Sequence, residues 1–162
     1  MKKFIALFAL MVITLASYAQ VYKMYNTRNY HNQLRLNTMT GEVQQIQDDG
    51  QSWIVCSARE ISGDKESRFR LYETQNMWTF ILLDSYNGRL WQVQYSTQDL
   101  DNLFCIPINE YELVANNERC IFSIQPLTSM YQYYLVNDDT GDMWKFQWST
   151  KGDDYRWIER FM

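Results

Sequence analysis

The chain repeats itself, and that repetition restricts its possible folds more than any single residue does. Segment 68–97, RFRLYETQNMWTFILLDSYNGRLWQVQYST, aligns without a gap on 121–150, IFSIQPLTSMYQYYLVNDDTGDMWKFQWST, at an offset of 53. Phe69/Phe122, Met77/Met130, Leu82/Leu135, Gly88/Gly141, Trp91/Trp144, Gln94/Gln147, Ser96/Ser149 and Thr97/Thr150 are identical. A weaker copy, from Tyr22 to Gln47, lies at an offset of 47 from the second and shares Tyr25/Tyr72, Thr27/Thr74, Asn29/Asn76, Gly41/Gly88 and Gln47/Gln94. The identities fall where hairpins need them.

Within each copy the apolar residues alternate with a period of two, the signature of strands with one buried face. Trp78, Phe80 and Leu82 alternate along one stretch, Trp91, Val93 and Tyr95 along the next, and Trp144, Phe146 and Trp148 repeat the second. Between the two stretches lie Asn37 to Gly41, Asp84 to Gly88 and Asn137 to Gly141, each an acid or amide that braces a turn followed by a glycine that takes its left-handed residue. Fourth strands are expected at Trp53–Ser57, Leu103–Ile108 and Tyr155–Arg160. No stretch of useful length has a period of 3.6, so no helix is expected after residue 19.

The sequence therefore predicts one all-β domain over 20–162, built from repeats at about 20–57, 68–108 and 121–162. Three copies of four strands suggest a β-trefoil-like closure, with a small closed β-barrel or a sandwich as the alternative; three blades fall short of the usual 4–8 of a propeller.

Residues 1–19 read as a cleavable signal peptide. Lys2 and Lys3 precede an apolar run from Phe4 to Leu15, and Ser17 and Ala19 stand three and one before a cut that would leave Gln20 first. The apolar run is too short for a spanning helix, and no cysteine stands at the cut for lipidation, so a periplasmic or secreted protein without membrane insertion is expected. Cleavage removes two lysines and no acid from a chain of formal charge −4. An acidic domain without a basic face argues against nucleic acid as a partner. In an oxidising compartment two of Cys56, Cys105 and Cys120 can bridge; the closeness of Cys105 and Cys120 along the chain makes them the expected pair, and three buried free thiols are the alternative.

The string F-x-L-Y-x-T-x-N-x-W-x-F-I-L-L-D-x-x-x-G-R-x-W-Q-V-Q, running from Phe69 to Gln94, resembles the repeat of small exported proteins of Bacteroides-type bacteria. Copy one departs at Gln44, where the other two have tryptophan, and copy three lacks the T-x-N. The resemblance implies export and assigns no site.

Motifs with a defined chemistry are missing: there is no G-x-S-x-G, P-loop, H-E-x-x-H or C-x-x-C. His31, the single histidine, takes the repeat position of Trp78 and Tyr131, which reads as structural. The pairs Asp48-Asp49, Asp138-Asp139 and Asp153-Asp154 read as turn residues rather than calcium ligands or an acid and base. No catalytic residue, metal or cofactor is expected. The aromatic share of 16% is explained first by core packing. Beyond the core, Tyr86 is expected to be exposed in its turn, and Gln47, Gln94 and Gln147 recur on the face opposite Trp91 and Trp144. The expected function is a non-catalytic module binding a glycan or an extracytoplasmic protein. The alternatives are an exported hydrolase using acidic residues and a protein inhibitor of another enzyme.

Overall fold

The computed structural model describes residues 20–97, 100–115 and 117–162; the expected signal peptide, residues 1–19, lies outside them. Each repeat forms one four-stranded antiparallel meander. The first sheet is β1 (Tyr22–Asn26), β2 (Asn32–Asn37), β3 (Val43–Gln47) and β4 (Ser52–Cys56). The second is β5 (Phe69–Glu73), β6 (Thr79–Asp84), β7 (Leu90–Gln94) and β8 (Phe104–Pro107), and the third is β9 (Phe122–Pro126), β10 (Gln132–Asn137), β11 (Met143–Gln147) and β12 (Trp157–Arg160). All ladders among the described residues stay within their own sheet, so no closed barrel forms and the threefold closure of a trefoil is not found. One departure from an all-strand chain is a four-residue helix, α1 (Ala58–Ile61), capped by the Ser57 hydroxyl, with Ile61 buried.

The central turns form as the glycine and Asx pattern requires. Gly41, Gly88 and Gly141 have φ of 78°, 78° and 77°, and each donates its N–H to the carbonyl of Asn37, Asp84 or Asn137. The Asn37 and Asn137 side chains accept from the N–H groups two and three residues on, and Asp84 accepts from Tyr86 N at 3.1 Å. A side chain replaces the missing backbone partner, and glycine takes the conformation other residues avoid.

The sheets stack face to face in one direction. Leu34, Leu36 and Val43 of the first sheet pack on Phe69, Leu71, Phe80, Leu82, Trp91, Val93 and Tyr95 of the second. Ile81, Leu83 and Leu90, on the other face of the second sheet, pack on Phe122, Ile124, Tyr133, Leu135, Phe146 and Trp148 of the third. Burial along the second strands records the stacking. Residues of β2 and β10 alternate in opposite phase, whereas all six of β6 are buried. The alternation of Phe80 and Leu82 is real, but Ile81 and Leu83 between them are equally enclosed, because a middle sheet has no solvent face.

This arrangement explains Gln44. It occupies the position of Trp91 and Trp144, but on the outer face of the first sheet, which no other sheet among the described residues covers, and it accepts a hydrogen bond from Arg35. Terminal repeats in stacked architectures carry a polar outer face for this reason.

The disulfide differs from the expected Cys105–Cys120. Cys105 pairs with Cys56, their Cα atoms 5.1 Å apart, and joins β4 to β8 across the first interface. Stacking brings these strands together, whereas Cys120 lies in the connection before β9, is free, and donates toward the Ser67 carbonyl at 3.2 Å.

Candidate functional site

One rim of the stack is built three times from equivalent residues. Each first hairpin ends on His31, Trp78 or Tyr131, whose carbonyl accepts from Asp48, Tyr95 or Trp148 N–H at 3.0, 3.1 and 3.1 Å. The side chains of the same residues pair as well. His31 Nδ1 lies 2.5 Å from Asp48 Oδ2, the Trp78 and Tyr95 rings are 5.3 Å apart, and the Tyr131 and Trp148 rings 4.9 Å. His31 is thus half of a surface pair, the polar version of two aromatic pairs. Burial pushes the Tyr95 phenol above its ordinary range.

Gln47, Gln94 and Gln147 close the third strand of each sheet on this rim, and all three are half-buried. Gln147 accepts from Gln132 Nε2 at 2.9 Å and donates to the Tyr155 carbonyl at 3.0 Å, the cross-strand role that recurring glutamines ordinarily play. Two shallow clefts open beside these residues at matching repeat positions. In the first sheet a cleft of about 160 Å³ is lined by Tyr30, His31, Gln33, Ile46, Gln47 and Asp48. In the third, one of about 110 Å³ lies among Tyr131, Gln147, Ser149, Lys151 and Tyr155 over buried Trp148. Tyr131 is 37% exposed and Tyr155 51%. Both clefts are smaller than the roughly 300 Å³ at which enclosed small-molecule sites begin.

Tyr86 does not belong to this rim, and it is not exposed. It retains 9% exposure because the connection after β8 folds over its turn. Asn117 Nδ2 donates to the Tyr86 carbonyl at 3.0 Å, Leu113 N to the Asn87 carbonyl at 2.8 Å, and the Arg68 guanidinium stands 5.5 Å from the Tyr86 ring. Arg68 also grips Asp84 through Nε and Nη2, at 2.7 to 3.0 Å, and this bonded carboxylate holds the guanidinium above its ordinary pKa. Turn residues are usually solvated, but here a long connection supplies the cover.

The acidic pairs are engaged locally. Asp48 pairs with His31, and Asp49 Oδ1 accepts from Gln51 N at 3.0 Å. Asp138 accepts from Ser123 Oγ at 2.7 Å, while Asp139 and Asp153 bind Arg119 and Arg156. A third cleft, of about 280 Å³, is lined by Ile106, Pro107, Ile108, Glu110, Asp153 and Arg156, the last two paired with each other. Among the described residues no three His, Cys, Asp or Glu side chains gather as a metal site would require.

Four further residues matter without standing out among the repeat identities. Tyr155 and Lys151 line the third-sheet cleft from outside the aligned segment. Gln45 and Gln92, identical at the offset of 47, bind the next sheet: Gln45 Nε2 donates to the Ser96 carbonyl at 2.7 Å, and Gln92 Oε1 accepts from Ser149 N at 3.1 Å. That recurrence was legible as a signal. Compared with known proteins, the chain matches no family model, no curated protein and no solved structure.

Proposed function

We propose that the protein is an exported, non-catalytic binding module that takes a glycan along its repeated rim, chiefly at the third-sheet cleft. The observation that carries this reading is the grouping of Tyr131, Gln147, Lys151 and Tyr155 around one shallow opening. Two partly exposed rings offer flat apolar surface to a sugar face, and an amide and an ammonium beside them offer hydrogen bonds to hydroxyls. A cleft of about 110 Å³ cannot enclose a substrate, which favours surface recognition over catalysis. The hydrolase alternative finds less support, since one aspartate of each candidate pair is held in a salt bridge, Asp48 with His31, Asp139 with Arg119 and Asp153 with Arg156. Export rests on the signal-like residues 1–19 and fits the Cys56–Cys105 disulfide, a bond that persists in oxidising compartments.

The test is a glycan array on residues 20–162, followed by titration of the best ligand. Tyr155→Ala is expected to weaken binding about tenfold, or about 1.4 kcal/mol, while leaving thermal unfolding nearly unchanged. Absence of any sugar ligand, together with recovery of one specific envelope protein in a pull-down, would replace the glycan with a protein partner.

A further inference from the structure

We propose that copies of this chain join end to end, the outer face of the third sheet docking on the outer face of the first sheet of the next copy. This rests on the stacked fold and not on the glycan reading of the rim. The two internal interfaces repeat one operation: the face bearing Leu34, Leu36, Val43 and Gln45, or Ile81, Leu83, Leu90 and Gln92, docks on the incoming face of the following sheet. Applied once more, that operation carries the third sheet onto a first sheet.

Both faces keep features of an interface. On the third sheet the three apolar docking positions remain apolar as Tyr134, Val136 and Met143, all only half-buried, with Phe161 packed 5.1 Å from Tyr134. On the first sheet Tyr22, 50% exposed, holds the position at which Phe69 and Phe122 plug the internal interfaces. Met24, 46% exposed, holds that of Leu71 and Ile124.

Charge then selects the partner. The internal staple runs from Gln45 to Ser96 and from Gln92 to Ser149. At the free end the staple position is Lys145, and at the free start the segment it would meet is Asp48-Asp49. The repeat register therefore brings an ammonium beside a segment that carries two exposed carboxylates, one of them paired with His31. Two third-sheet faces would oppose lysine to lysine, and two first-sheet faces aspartate to aspartate, so the pairing is head to tail. Gln33, Arg35 and Gln44 make the incoming face more polar than the internal ones, which keeps the association reversible. Such a contact closes into a ring or extends as a chain. Two copies closed on each other would present six four-stranded sheets, within the range of propellers.

Sedimentation velocity of residues 20–162 across a concentration series tests this. Species larger than the monomer are expected at low salt and should recede at high salt, because the pair at the rim is screened. Lys145→Glu and Asp49→Lys should each lose association at least tenfold while keeping the parent circular dichroism spectrum, and an equimolar mixture of the two should recover it. A monomer at every concentration in low salt overturns the proposal, as does association that Lys145→Glu leaves untouched.

Discussion

At the interface between the first and second sheets, Gln45 donates to Asn32 Oδ1 and to the Ser96 carbonyl, both at 2.7 Å, and accepts from Ser96 N at 3.3 Å. Arg28 adds bonds to Glu73 and to the carbonyls of Thr74 and Gln75, and the Cys56–Cys105 disulfide fastens the far edge. The interface between the second and third sheets uses the same register with different chemistry. Gln92 accepts from Ser149 N, but its Nε2 and the neighbouring Thr79 hydroxyl, in the position of Asn32, find no partner among the described residues. Rings are common to both interfaces: Tyr133 stacks on Phe146 at 5.5 Å and Phe122 packs on Trp144 at 5.8 Å in the third sheet, as Phe69 packs on Trp91 at 6.3 Å in the second. One docking geometry with buried rings on both sides is thus reinforced in the first case by polar and covalent links that the second lacks. Backbone repetition fixes where sheets meet, and local chemistry decides how firmly.

The largest effect should come from the disulfide. Replacing Cys56 and Cys105 together by alanine is expected to lower stability by about 2–4 kcal/mol, since the bridge closes a long loop in the unfolded chain. Urea unfolding measures the total. Hydrogen exchange should show the loss first in β4 and β8, and uniform loosening of all three sheets would mean that the interfaces do not differ as described.

A smaller contrast separates the two staples. Gln45→Leu removes the donor to Asn32 Oδ1 and two hydrogen bonds with the Ser96 backbone, for an expected loss of about 1–3 kcal/mol. Gln92→Leu removes one hydrogen bond, from the Ser149 N–H, together with an Nε2 that is itself buried without a partner, so its cost should be clearly less. Equal losses in paired thermal unfolding experiments would break the comparison.

The smallest expected change has the opposite sign. Thr79→Asn copies the first interface by giving Gln92 the partner that Asn32 gives Gln45, with an expected gain of about 0.5–1.5 kcal/mol. A fall in melting temperature would show that the second interface lacks room for the longer side chain.

The strands and turns were open to reading because their causes are local. Alternation along Trp91, Val93 and Tyr95 and the Asx and glycine residues at 84–88 carry their structural meaning within a few positions. The rim was half legible: the recurrence of Gln47, Gln94 and Gln147 marks the end of each third strand, while Tyr155 and Lys151 line the third-sheet cleft from outside the aligned segments. Tyr86 was misplaced because its cover, the connection bearing Leu113 and Asn117, lies far along the chain.

The sequence by itself determined three copies of one antiparallel meander, their turn chemistry and an acidic domain with no metal or nucleophile motif. Tertiary structure alone decided that the copies stack in line, that Cys105 bonds Cys56 and that Tyr86 is buried. The physical reason is that a strand's period reports which side chains share a face, whereas only packing says what lies against that face. Phe80 and Ile81 point to opposite faces of one strand, and both are buried because a sheet stands on each side.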